Sequence, residues 1–173
     1  MRSTTKEDLM QHAAHVAIVG QALGIIRNEY FGGSVNTDKI AALALYHDTA
    51  EVVSGDLPTP IKYYSPKIKN AYGEIETVIN RKLLGSLPPE MSARYAEYLQ
   101  PDENTEEYKL MKVADKLSAY IKCIDEKLSG NQEFDTAFNR LKKQLDGMSD
   151  EYPELKFFLD NFGEGYGKPL DIL

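Results

Sequence analysis

The segment IAALALY, Ile40 to Tyr46, is apolar on every side and runs directly into three ionisable residues, His47, Asp48 and Glu51. A helix without a polar face has to be surrounded by protein, so this one belongs centrally in a core. At about 100° per residue the three ionisable groups then share one face, within an arc of about 100°. Burying them is costly unless they pair with one another or hold a metal. A buried His–carboxylate network that closes the core is one solution, and a metal or catalytic site is the other.

The flanking sequence is also helical in period. Thr4 and Glu7 have the spacing of a capping box, and Leu9, Ala13, Val16, Gly20 and Leu23 then recur at helical intervals as far as Arg27. Phe31-Gly32-Gly33-Ser34 interrupts, and Asn36 or Thr37 caps a second helix expected over Asp38 to Val53. Gly55 ends it. Asp56-Leu57-Pro58-Thr59-Pro60 reads as a rigid loop, because proline lacks an N–H donor and restricts the residue before it. Ser65-Pro66 opens a third helix that reaches Leu84 and stops at Gly85, and Pro88-Pro89 opens a fourth that ends near Pro101. Thr105 caps a long helix to Gly130 whose buried stripe is Leu110, Val113, Ala114, Leu117, Ile121 and Ile124. Two shorter helices are expected near 133–146 and 153–162, with an irregular tail over 163–173. No segment alternates like a strand, so the expected fold is all-α: one compact helical bundle over residues 1–173, with about six or seven helices.

Charge narrows the partners. Against 20 Lys and Arg stand 27 Asp and Glu, a net charge of −7, which disfavours long nucleic acid but leaves open a small phosphorylated molecule bound through a cation. No apolar stretch is expected to approach the roughly 18 residues of a membrane span, so no membrane partner is expected. The single cysteine, Cys123, excludes an intramolecular disulfide, and the start MRSTTKEDLMQH lacks the apolar core of a secretory signal. Both fit the cytoplasm.

Other polar residues are as out of place as those after IAALALY. His12 lies on the apolar stripe of the first helix with Leu9, Val16, Val19 and Leu23, and so should point inward. A core histidine bonded to a backbone carbonyl is the plain alternative. His15 drifts to the edge of the stripe and is the poorer candidate. Asp115 interrupts the long helix in KVADKLSAY, where pairing with Lys112 one turn back is the ordinary explanation. Taken together, two imidazoles and two carboxylates from three helices suit a divalent transition metal.

On His12, His47-Asp48 and Asp115 the chain resembles the HD-domain metal phosphohydrolases. Within them it is most similar to the YfbR-like bacterial 5'-deoxynucleotidases, through FGGSVNTDKIAALALYHDTAEVVSGDLPTPIKYY, Phe31 to Tyr64, and KVADKLSAYIKC, Lys112 to Cys123. The resemblance implies an HD-type helical fold and a single divalent ion held by His12, His47, Asp48 and Asp115. Co, Mn, Zn, Mg, Fe and Ni are not distinguished. It further implies a homodimer that hydrolyses deoxyribonucleoside 5'-monophosphates to deoxynucleoside and phosphate. Glu51 matches the family's catalytic carboxylate and Asp56 the loop aspartate that bonds the deoxyribose 3'-hydroxyl. From the residues alone, Glu51 also reads as a helix-surface glutamate or as the partner of a ligand histidine, although its place three residues after Asp48 favours a functional role, and Asp56 also reads as a cap or brace of the proline-rich turn. Lys62 follows the loop, within possible reach of a phosphate, but a lysine in a surface turn is ordinarily solvated, so it is left outside the site.

Two departures from the family pattern stand out. Gln11-His12 replaces the usual Glu-His, and the sequence has no tryptophan to match the Arg-Trp pair in the relatives' N-terminal segment. Two other readings compete with this one. Guanosine tetraphosphate hydrolases usually show Glu-Asp after His-Asp, where this chain has Thr49-Ala50-Glu51. A non-catalytic, metal-binding helical scaffold is also compatible with the composition.

Overall fold

Asp8, rather than Thr4, opens the first helix, α1 (Leu9–Phe31). Its carboxylate accepts from the Gln11 N–H at 2.8 Å, while the Gln11 side chain accepts from the Asp8 N–H at 3.0 Å. The computed structural model describes residues 2–57, 59–62 and 64–166. Within them α1 begins one turn later than expected and continues one turn past Arg27.

Helix α2 (Thr37–Tyr46) is capped by Asn36, whose side chain accepts from the Lys39 N–H at 2.9 Å. It does not continue to Val53. The His47 ring donates from Nδ1 to the Ala44 carbonyl at 2.7 Å, and the Thr49 hydroxyl and N–H both donate to the Tyr46 carbonyl, at 2.8 and 3.1 Å. These local bonds take carbonyls that the next helical turn needs. The chain therefore passes through a tightened turn and restarts as a one-turn helix, α3 (Glu51–Ser54). Nor is IAALALY buried all round, since Leu45 is 44% exposed.

Gly55, at φ 73°, ends α3 and turns the chain to Asp56 and Leu57. Pro58 lies outside the described residues. A one-turn helix, α4 (Thr59–Lys62), stands where the loop was expected to go on. The order then follows expectation: α5 (Pro66–Gly85), α6 (Pro89–Leu99), α7 (Glu106–Leu128), α8 (Asp135–Met148) and α9 (Pro153–Phe162). Ser65 and Thr105 cap α5 and α7 by accepting from the N–H groups of Ile68 and Tyr108. Gly163–Gly165 forms a 3-10 turn, and the rest of the expected irregular tail, 167–173, lies outside the described residues. Seven helices are longer than one turn, and no strand occurs among the described residues.

The core is the packing of α1, α2 and α7 against one another, through Val16, Leu23, Ile40, Leu43, Leu110, Val113 and Leu117. Leu145 of α8 with Leu155 and Phe158 of α9 close it. Each such side chain contributes on the order of 1.5–3 kcal/mol by leaving water. Small residues let α1 and α2 approach closely: a Cβ on Gly20 would stand 2.9 Å from Ile40 Cγ2, and one on Gly24 would stand 2.8 Å from Ile40 Cδ1. One expectation fails here. By length and composition α1 is apolar enough to cross a membrane, with a mean hydropathy of 1.4. Its inner face, however, is packed into this core, and the apolar character serves that packing.

Thr4, the displaced cap, has a different use. Its N–H and hydroxyl both donate to the buried carboxylate of Glu126 on α7, at 2.9 Å to Oε2, and this ties the segment before α1 across the core.

Candidate active site

Helices α1 and α7 and the turn after α2 bring their polar residues to one place. His12 Nε2 lies 3.3 Å from Asp115 Oδ1 and 3.9 Å from Asp48 Oδ2. His47 Nε2 lies 3.0 Å from Asp48 Oδ2 and 3.8 Å from Asp115 Oδ1. One donor atom each from His12, His47 and Asp115 falls within 4.8 Å of the others. The four residues singled out from the sequence thus converge, even though His47 and Asp48 sit on a tightened turn and not on a continuous helix. His15 does not join them. It lies near Asp125 instead, toward the other end of α7.

The chemistry of this donor set fits a metal. The Ala44 carbonyl can only accept, so His47 Nδ1 carries a proton and Nε2 is free to present a lone pair. The His47 side chain is 3% exposed, and Nε2 has no properly directed hydrogen bond although two carboxylates stand near it. A buried polar atom without a partner calls for an explanation. Here a cation shared by His12, His47 and Asp115 would satisfy it, with the Asp48 carboxylate, 3.0 Å from Nε2, as a further donor at hand.

The same need shows in the titration of the cluster. Burial works against charge on His47, yet the carboxylates of Asp115 and Asp48 outweigh it and push the imidazole up to about 10. The hydrogen bond to Asp115 is the main cause that raises His12. Burial opposes ionisation of Asp115, but His12, His47 and Lys112 together hold it well below the usual carboxylate range. The ordinary pairing of Asp115 is present as well: Lys112 donates to Oδ2 at 3.0 Å, while Oδ1 faces the histidines.

Three members of the cluster, His12, Asp48 and Asp115, line a cleft of about 740 Å³, with His47 behind them. Glu7, Asp8, Asp48, Glu51, Asp56 and Asp115 line it, against Lys62 and Lys112. Such a cleft repels a phosphate unless a bound cation reverses its sign. Glu51 opens α3 with its side chain in this cleft, 6% exposed. Burial first, then the charges of Asp48 and Asp56, push its carboxyl up to about 7, while Lys62 works in the opposite direction. Asp56 lies exposed at the rim.

Lys62 is the residue that the sequence reading left out. It is no solvated surface lysine: Nζ lies 3.0 Å from Glu76 Oε1 and 3.4 Å from Glu51 Oε1. Burial disfavours its charge, but Glu76 and then Glu51 outweigh that and raise it, so the ammonium stays protonated. Its partners lie on other helices, and no local spacing announces them.

Comparison with known proteins bears on the whole chain. The family described as 5'-deoxynucleotidase YfbR-like matches residues 1–166. Similar relatives include a 5'-deoxynucleotidase of Photobacterium profundum, 44% identical over 172 residues, which are 99% of this chain and 88% of that protein. Another, from Pasteurella multocida, is 42% identical over 172 residues, 99% of this chain and 87% of its own. Among solved structures, an HD-domain phosphohydrolase from Listeria innocua superposes with a TM-score of 0.83 at 22% identity, covering 95% of this chain and 79% of its own. At that identity the likeness speaks to the fold.

Proposed function

The chain belongs to the YfbR-like 5'-deoxynucleotidase family, and from that membership we propose that it hydrolyses deoxyribonucleoside 5'-monophosphates to deoxynucleoside and inorganic phosphate. One observation carries the reading: His12, His47, Asp48 and Asp115 gather within ion-pair distance of one another, and three of them line an acidic cleft together with Glu51. In this reading these four hold one divalent ion, which when bound supplies positive charge to the transferring phosphoryl group.

The chain's own residues do the rest. Glu51 takes a proton from the attacking water, a role supported by its burial beside the cluster and its raised carboxyl. The water oxygen bonds to phosphorus as the bond to the sugar 5'-oxygen breaks; that oxygen takes up one proton from solvent, and Glu51 returns the proton it accepted to solvent, which resets it for the next turnover. Asp56, exposed at the rim, accepts from the sugar 3'-hydroxyl. Selection against a ribose is expected at roughly 10²-fold, the scale on which a close-fitting wall rejects an added hydroxyl.

Residues 1–173 act in this reading as one domain. The small, acidic cleft suits a mononucleotide better than a long nucleic acid. A homodimer is supported by the apolar outer row of α1, Met10, Ile18 and Ile25, exposed at 68, 69 and 48%. A cytoplasmic setting is supported by the single free cysteine, Cys123.

The test is phosphate release by metal-stripped protein from a panel of deoxy- and ribonucleoside 5'-monophosphates, with Co²⁺, Mn²⁺ or Mg²⁺ restored. Release from the deoxy series, dependent on added metal, is expected. Silence with every nucleotide and every ion contradicts the assignment.

A further inference from the structure

Glu51 sits on a helix too short to hold it. Helix α3 is a single turn without a side-chain cap, and the contact to its carboxylate comes from α4, where Lys62 Nζ lies 3.4 Å from Glu51 Oε1. The lysine is itself fixed from α5. Glu76 Oε1 accepts from Nζ at 3.0 Å, and the Tyr72 ring lies beneath it, with its centroid 4.6 Å away. The Tyr72 hydroxyl in turn donates to the Gly55 carbonyl at 2.6 Å and lies 3.2 Å from Ser54 Oγ. That bond braces the turn between Glu51 and Asp56.

We propose that Lys62 is a positioning residue for Glu51, held in place by Glu76 and the face of Tyr72. The proposal rests on the reading of Glu51 as the proton acceptor. A contact on Oε1 narrows the orientations open to the carboxylate and leaves Oε2 to serve the water. Two of the three donors of the ammonium are engaged by carboxylates and its flank by the aromatic ring. Lys62 therefore acts through Glu51 and not as a phosphate-binding cation. A carboxylate that must keep one orientation on a one-turn helix needs such an outside brace.

The experiment measures kcat, KM and inhibition by inorganic phosphate for the metal-loaded enzyme acting on a deoxyribonucleoside 5'-monophosphate. The variants are Lys62→Met, Lys62→Arg, Glu76→Gln, Glu51→Gln and the double variant Glu51→Gln/Lys62→Met, with bound metal and Tm read for each. Lys62→Met is expected to lower kcat about 10–100-fold, the scale of a lost supporting contact, with KM, phosphate inhibition and bound metal unchanged. Lys62→Arg recovers part of the loss, and Glu76→Gln shows a smaller drop in kcat. Lys62→Met adds nothing in the Glu51→Gln background.

A raised KM and weakened phosphate inhibition at unchanged kcat would overturn the proposal by making Lys62 a phosphate ligand. Wild-type kcat in Lys62→Met would overturn it by making the contact an idle ion pair. Should Lys62→Met fail to fold, Lys62→Arg and Glu76→Gln decide, and wild-type kcat in both overturns it. Loss of turnover in Glu51→Gln alone sinks only the role of Lys62. Full turnover in Glu51→Gln sinks the reading of Glu51 and the role of Lys62 together.

Discussion

The two sides of the cleft are built on opposite plans. The side that gathers the metal-type donors stands on α1, α2 and α7, whose Val16, Leu23, Leu43, Leu110 and Leu117 are at most 1% exposed. The side that carries Glu51, Asp56 and Lys62 stands on two one-turn helices and on α5, which fully buries only Tyr72 and Leu84 among its described residues. That side is held by polar contacts: Lys62 to Glu51 and Glu76, and Tyr72 to Gly55. A cation site needs donors that cannot drift, and dense packing gives that. Groups that must admit a substrate and release two products gain from a lighter attachment.

The largest expected effect strikes the packed side. Asp115→Asn removes the carboxylate shared by His12, His47 and Lys112, and should abolish metal retention and lower phosphate release by at least about 10³-fold. Elemental analysis beside a phosphate assay reads both. A variant that keeps its metal would break the contrast.

Next comes stability. Leu117→Ala, at a fully buried position on α7, should cost about 2–5 kcal/mol in denaturant unfolding. Tyr72→Phe removes one hydroxyl bond on the lighter side and should cost only about 1 kcal/mol, while kcat/KM falls by more than that stability loss explains. Equal stability losses at the two positions would erase the distinction.

The smallest effect concerns the strap ahead of α1. Burial raises the Glu126 carboxyl, but the Thr4 N–H, the Asn131 amide and the Thr4 hydroxyl outweigh it and hold it below the ordinary 4.5. A lowered folded value means a stabilising contribution that is present above pH 4.5 and lost as pH falls through the folded value. Glu126→Gln should therefore flatten the acid limb of a stability–pH curve. An unchanged acid limb would show that the strap does not depend on the charge.

How much of this was legible in the sequence follows the same division. Three of the four gathered residues stood out by themselves, His12 on an apolar stripe and His47 and Asp48 at the end of IAALALY, whereas Asp115, at the rim of its stripe and paired with Lys112, was an ordinary residue until set beside the others. The continuous second helix could not be read correctly, because its end depends on the His47 ring and the Thr49 hydroxyl taking backbone carbonyls. The first cap was misread for a similar reason. Thr4–Glu7 and Asp8–Gln11 have the same spacing, and what removes Thr4 from competition is Glu126, 122 residues away. Lys62 drew notice only for its place after the loop, since its contacts depend on Glu76 and Tyr72 packing back from α5.

The most direct test of this division of labour measures bound metal and phosphate release on one preparation of Glu51→Gln. Wild-type metal content with release reduced about 10²–10⁴-fold is the expected result. Metal lost in step with activity, or undiminished release, contradicts it.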